Sequence, residues 1–250
     1  NLCLAGGVAL NCVANGKISE DNNFSNIWIQ PAAGDAGGAI GAALSIWYDY
    51  LSNERLINTN EDLDRMKGSY LGPVYNTTDI ELALKKFSIN YDLVQRDEML
   101  NIASIALSNE KAIGWFQGRM EFGPRALGAR SILADPRSEN MQKNLNLKIK
   151  FRESFRPFAP SVLENKAKEW FDLKNNSPYM LMVAEINQDK KIHNEKMQSG
   201  LKGIDLLNLK RSVVPAITHV DYSARIQTVN DKTNKVFYDL INKFYEITNC

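Results

Sequence analysis

The residues best suited to chemistry lie between Lys111 and Arg156. Ten basic side chains fall there (Lys111, Arg119, Arg125, Arg130, Arg137, Lys143, Lys148, Lys150, Arg152 and Arg156) against four acids (Glu121, Asp135, Glu139 and Glu153). The whole 250-residue chain carries a formal net charge of only +1. The central part, Gly118 to Pro160, reads GRMEFGPRALGARSILADPRSENMQKNLNLKIKFRESFRPFAP. Its cations alternate with Gly, Pro and apolar residues, whereas a solvated charged face would mix Lys and Glu at helical spacing. Such a pattern suits an anion.

Geometry and repulsion support that reading. Gly123-Pro124 forces a bend just before Arg125. A helix starting after the bend would aim its first N–H groups and the Arg125 guanidinium into one small volume. Arg119, Arg125 and Arg130 do not share a helical face, so only a loop and its flanks can gather them. Like charges ~4 Å apart repel by roughly a few kcal/mol at intermediate dielectric, which an intervening anion offsets. Phosphate or carboxylate fits guanidinium geometry. The plainer alternative pairs these cations with Glu121, Asp135, Glu139 and Glu153 as ordinary ion pairs. Lys148, Lys150 and Arg152 alternate, so a strand would put all three on one face and a helix would spread them.

Those side chains must be carried by an α/β framework. LCLAGGVAL (residues 2–10) reads as a strand running into a Gly6-Gly7 turn and then a helix. That turn suits either a ligand approaching the backbone or simple close packing. Ile27–Gln30 predicts a second strand, followed by a Gly-rich turn with Asp35 and a helix carrying Ala36, Ala39, Ile40, Ala43, Leu44 and Trp47 on one face. Asp35 is there either a helix N-cap or a metal or nucleotide ligand. Residues 52–76 are polar and poorly periodic, and a domain boundary is expected within them.

Beyond it, Thr78 and Glu81 suggest a capping box for one helix, and Met99, Ile102, Ala103 and Ala106 form the face of another. Ala112–Phe116 predicts a short strand that delivers the chain to Gly118 and Arg119. Strands are expected at Phe158–Leu163, Tyr179–Ile186, Pro215–Val220 and Arg225–Val229, with helices at Glu164–Phe171 and Asp231–Thr248. Asn187–Gly203, which contains His193, reads as an exposed loop with a solvated histidine. His219 is either a base or a packing residue.

Composition is ordinary for a globular chain, at 44% hydrophobic and 24% charged residues. No apolar run approaches the roughly 18 residues of a membrane span, and no export signal is visible. Cys3, Cys12 and Cys250 include no CxxC pair, which suits a reducing cytoplasm. The first residues already look like a buried strand and the last helix has no stop signal, so a piece of a longer protein is expected.

NLCLAGGVALNCVANGKI, QPAAGDAGGAIGAAL, GRMEFGPRALGARSILADPR, IKFRESFRPFAPSV and THVDYSARIQTV together resemble the carbamoyltransferases of the nodulation-protein and antibiotic-tailoring type. The likeness runs nearly end to end. It implies that residues 1–60 are the C-terminal part of an actin-like ATPase domain and 70–250 a YrdC-like α/β domain with a twisted mixed sheet, C-terminally truncated. It further implies that carbamoyl phosphate and ATP form carbamoyl-adenylate, and that the carbamoyl group passes to a hydroxyl of a small molecule or sugar. On this likeness Gly6, Gly7, Asn11 and Gly34 would contact nucleotide. Asp35 would bind a divalent metal, iron or magnesium, whose other ligands lie upstream.

Arg125, Lys150 and Arg225 would carry the chemistry, and Arg119, Arg130, Arg156 and His219 would hold substrate. A homodimer is compatible with the likeness. Tyr222 departs from the family, which usually has Gly there, and the chain stops before the family's Asn-Thr-Ser-Phe-Asn segment. With that segment and the upstream metal ligands missing, carbamoyl transfer by these residues alone is not expected. Two competing readings are a tRNA-modification enzyme making threonylcarbamoyl-adenylate and an RNA-binding YrdC-like module. The near-neutral overall charge argues against nucleic acid.

Overall fold

The computed structural model describes residues 1–56, 64–192, 203, 207 and 209–250. His193 and most of the polar excursion around it lie outside the described residues.

The first segment is a small βαβα unit. Strand β1 (Leu2–Leu4) pairs in parallel with β2 (Ile27–Ile29), and helix α1 (Cys12–Glu20) connects them. The expected strand over residues 2–10 is shorter than its apolar run. Gly6 takes φ 88°, open to glycine, and the chain turns into a single 3-10 turn at Gly7–Leu10. Helix α2 (Asp35–Ser45) follows β2 and ends in a π turn at Ile46–Tyr50. Its N-cap is Gly34, so Asp35 sits one position inside the helix and makes no side-chain cap.

The second segment opens with α3 (Thr77–Lys86). Its capping box uses Asn76 and Asp79, not Thr78 and Glu81, because the N-cap lies two residues earlier than the pattern suggests. Helix α4 (Arg96–Ser108) leads into β3 (Ile113–Phe116), which forms an antiparallel pair with β4 (Arg130–Leu133). No helix starts at Arg125; the chain between Gly118 and Arg130 is a closed loop. Helix α5 (Met141–Lys148) then ends before Lys150 and Arg152, so neither the strand nor the helix expected for the alternating cations holds across all three.

A three-stranded mixed sheet comes next, in the order β5 (Ser161–Leu163), β7 (Ser223–Val229), β6 (Met182–Glu185). β5 runs parallel to β7 and β6 antiparallel to it. The helix expected at Glu164–Phe171 is a 3-10 turn followed by short α6 (Ala167–Trp170). Pro215–Val220 is not a strand: Pro215 has no N–H to give a ladder and opens a 3-10 turn. The last helix, α7 (Asp231–Thr248), has the bounds its stripe predicts and buries Phe237, Leu240 and Phe244. The architecture is thus mixed α/β with small sheets. Among the described residues no helix is long and apolar enough to cross a membrane.

The two segments share a core. Ala9, Ile29 and Ala33 pack with Leu127 and with Tyr179, Met180, Leu181 and Met182. Helix α1 lies so close to β6 that a Cβ on Gly16 would stand 2.5 Å from the Val183 carbonyl oxygen. Buried Asn15 closes the seam, donating from Nδ2 to the carbonyls of Ala9 (2.8 Å) and Leu181 (2.9 Å).

Candidate functional site

Where that seam meets the loop after β3, three guanidinium groups come together. Arg125 reaches across from the loop and donates to the Leu10 carbonyl at 3.3 Å, while its Nε is buried with no hydrogen-bond partner. Arg225 projects from β7, where the charges of Arg125 and Arg152 act on it. Burial first, then the like charge of Arg125 and Arg152, weaken its hold on its proton; the Cys12 side chain, within hydrogen-bonding reach, acts in the opposite sense. Arg152 lies after α5, fixed by a 2.6 Å bond from its Nε to Asn146 Oδ1 and by the Phe158 ring 5.1 Å away. Asn146, fully buried, also donates to the carbonyls of Ser154 and Arg156 and so shapes the turn behind Arg152.

The acids of the basic stretch do not neutralise this cluster. Asp135 makes a bidentate pair with Arg137, at 3.0 and 2.6 Å. Glu139 pairs with Lys210 at 2.7 Å. Glu121 accepts backbone N–H groups instead. No ion pair to a carboxylate is formed by Arg125, Arg152 or Arg225 among the described residues. Ordinary ion pairing therefore accounts for Arg137 and leaves the other three as concentrated positive charge.

The remaining sequence candidates are spread out. Arg130 is consumed by the fold: its guanidinium donates to the carbonyls of Gln117, Ala129 and Gly118 and stacks 3.5 Å over Phe116. Arg119 is exposed and donates to the Gly72 carbonyl at 3.1 Å. Lys150 and Arg156 are exposed, and no side-chain bond joins them to the cluster among the described residues. His219 does approach it. Burial and nearby Arg225 push its pKa down, partly opposed by Asp221. It also lines a cavity of about 160 Å³ with Gln142, Phe155, Arg211 and Thr218. A separate, mostly apolar cavity of about 190 Å³ lies under α7 and contains none of these three arginines.

In the first segment, Gly6, Gly7, Asn11 and Asp35 are all exposed, with Gly34 partly so. The Asn11 side-chain oxygen is already engaged, capping α1 through the Ala14 N–H at 3.1 Å. No group of three or more His, Cys, Asp or Glu that could hold a metal occurs among the described residues. Among the described residues Asp35 thus has no partners with which to complete such a group.

One functional residue escaped the sequence, and one position it singled out takes an unusual backbone conformation. Arg152 was one of three alternating cations with nothing to single it out; the only signal was its place in the FRESFRPFAP motif. Tyr222 has φ 64°, the left-handed conformation. The turn holds a Tyr in a conformation that favours glycine, at a cost of roughly 1–2 kcal/mol of backbone strain. The Lys191 ammonium lies 5.0 Å from the Tyr222 ring.

Among the described residues, guanidinium groups without carboxylate partners thus meet at a seam between α/β layers, a chemistry that suits an oxyanion. A model of the carbamoyltransferase C-terminus matches residues 104–250, and one of the carbamoyltransferase N-terminus matches residues 1–44. The chain belongs to the carbamoyltransferase family. It is 54% identical over 252 residues to an uncharacterized protein of Synechocystis sp., covering 100% of this chain and 40% of that protein. It is 42% identical over 251 residues to nodulation protein NolO of Bradyrhizobium diazoefficiens, covering 99% of this chain and 41% of that protein. Nodulation protein U of Rhizobium tropici is 32% identical over 249 residues, with 99% and 36% covered. The chain thus spans about two fifths of the length of these relatives.

Proposed function

We propose that this chain supplies the phosphate-binding site of an O-carbamoyltransferase. In this reading a water molecule hydrolyses carbamoyl phosphate to carbamate and inorganic phosphate, and an oxygen of that carbamate attacks the α-phosphorus of ATP. The bond to the bridging oxygen breaks, pyrophosphate departs, and carbamoyl-adenylate remains for transfer to a hydroxyl of a small molecule or sugar. Arg125 and Arg225 hold the phosphoryl oxygens and neutralise charge as it builds on the leaving group, and Arg152 orients them. Lys150 and Arg156 act from the rim. The single observation that carries the reading is Arg125, whose half-buried cation has a buried Nε with no partner and another cation beside it. Leaving such a donor unmet is costly unless a ligand meets it.

The division into an actin-like part (1–60) and a YrdC-like part (70–250), the nucleotide contacts at Gly6, Gly7, Asn11 and Gly34, a divalent metal at Asp35 with ligands from elsewhere, and a cytoplasmic setting belong to the same proposal. The test uses a protein of the relatives' full length that contains this chain. Pyrophosphate release should require both ATP and carbamoyl phosphate, and Arg125→Ala should abolish it while the circular-dichroism spectrum stays native. Release that persists in Arg125→Ala would overturn the reading.

A further inference from the structure

The loop that presents Arg125 is built around an anion that belongs to the chain itself. Glu121 is 7% exposed, and its Oε1 accepts the backbone N–H groups of Leu127 (2.7 Å), Ala129 (2.8 Å) and Arg130 (3.3 Å). N–H groups of neighbouring residues converging on one point form the concave anion-binding nest that loops often offer to phosphate. Here a carboxylate fills it.

The rest of the turn is tied as firmly. The Leu127 carbonyl accepts from Tyr70 Oη at 2.7 Å and Gln227 Nε2 at 2.9 Å. The Gly128 carbonyl accepts from Gln117 Nε2 at 2.9 Å, and the Gly128 N–H donates to Ser131 Oγ at 3.0 Å. Gly123, at φ 134°, lies against Pro31 and Ala32 of the first segment. Arg125 therefore sits in a short span between Glu121 and the residues Glu121 holds. Its reach to Leu10 and Arg225 depends on that closure.

Resting on the reading of the arginine cluster as an anion site, we propose that Glu121 is a positioning residue: its carboxylate fills the nest at Leu127, Ala129 and Arg130 and so holds Arg125 on the cluster. Glu121 does not touch the bound anion. The N–H groups it occupies are withdrawn from substrate, so the guanidinium groups rather than the loop backbone carry recognition. The bonds are charge-assisted, which a neutral amide would weaken and Ala would remove.

The experiment titrates pyrophosphate by calorimetry into a protein of the relatives' full length that contains this chain, and tracks amide exchange at Leu127 and Ala129 by mass spectrometry. Wild type, Glu121→Ala and Glu121→Gln are compared, each with about 100 mM sodium formate or the same concentration of chloride. In Glu121→Ala, affinity should fall by about tenfold or more and both amides should exchange faster by a similar factor. Formate, seated in the vacated nest, should restore most of both; chloride should not. Glu121→Gln should show a smaller loss.

Glu121→Ala with affinity within twofold of wild type overturns the proposal, and so does a loss that formate leaves untouched. Should Glu121→Ala fail to fold, a folded Glu121→Gln with unchanged affinity refutes it and a weakened one supports it. If wild type itself does not bind pyrophosphate, the anion-site reading falls. Amide exchange and its rescue by formate then still decide whether Glu121 holds the loop.

Discussion

Replacing Arg225 with Met should make the unliganded protein more stable while removing its response to anions. Arg225 is half-buried on β7, with the cations of Arg125 and Arg152 as neighbours. For separations on the order of 8 Å and an effective dielectric of about 20, each like-charge pair costs ~2 kcal/mol. Two such pairs oppose folding by ~4 kcal/mol before salt screening and the loss of the Arg225–Cys12 contact reduce the benefit of removal. A net gain of about 1–2 kcal/mol is expected, since Met keeps the length and apolar stem of Arg. Urea denaturation at low salt, with and without pyrophosphate, is the assay. At about 100 times its dissociation constant a ligand that binds only the folded state adds about 2.7 kcal/mol to wild type. Arg225→Met should therefore be the more stable protein without pyrophosphate and gain much less with it. A variant that is less stable without pyrophosphate yet still gains the wild-type increment would refute the claim that these charges repel around an anion site.

The same geometry sets three further outcomes. Gly128→Ala should destabilise by about 2–4 kcal/mol in denaturant midpoint experiments, because the residue has φ 97° and a Cβ would stand 2.3 Å from Cδ1 of buried Phe237. Asn15→Ala should cost about 1–3 kcal/mol by orphaning two buried carbonyls, and amide exchange should rise in α1 and β6 together. The lowered pKa of His219, caused by burial and Arg225, means that the unfolded chain protonates first as pH falls below about 6.5. Stability should then be lost on acidification below that pH and be unaffected above it. His219→Gln should flatten this part of the pH profile; an unchanged profile would show that another group is responsible.

The bend at Gly123-Pro124 was legible in the sequence because Pro restricts its predecessor, but local pattern could not decide between a helix and a loop on its far side. A helix at Arg125 would have exposed its first N–H groups to a ligand. In the folded chain Glu121 supplies the acceptor from just upstream of the bend, and the segment closes as a loop. Arg130 shows the same limit from the other side. Its charge made it a candidate, yet its donors point at backbone carbonyls and its plane lies on Phe116. Charge type is written in the sequence; the direction of a guanidinium is not.

The amphipathic stripe of α7, the N-terminal βα unit and the excess of cations between Lys111 and Arg156 arise from local pattern, because periodicity and composition act over a few residues. Which three cations meet was decided only by packing. Asn15, Gly16 and the core at Ala9, Ile29 and Leu181 bring residues far apart in the chain into contact. That contact puts Arg125 and Arg225 at one seam, with Arg152 beside them and Lys150 outside. Local sequence can specify the parts of such a site, but burial of a shared apolar surface fixes their separation, and with it the repulsion an anion must offset.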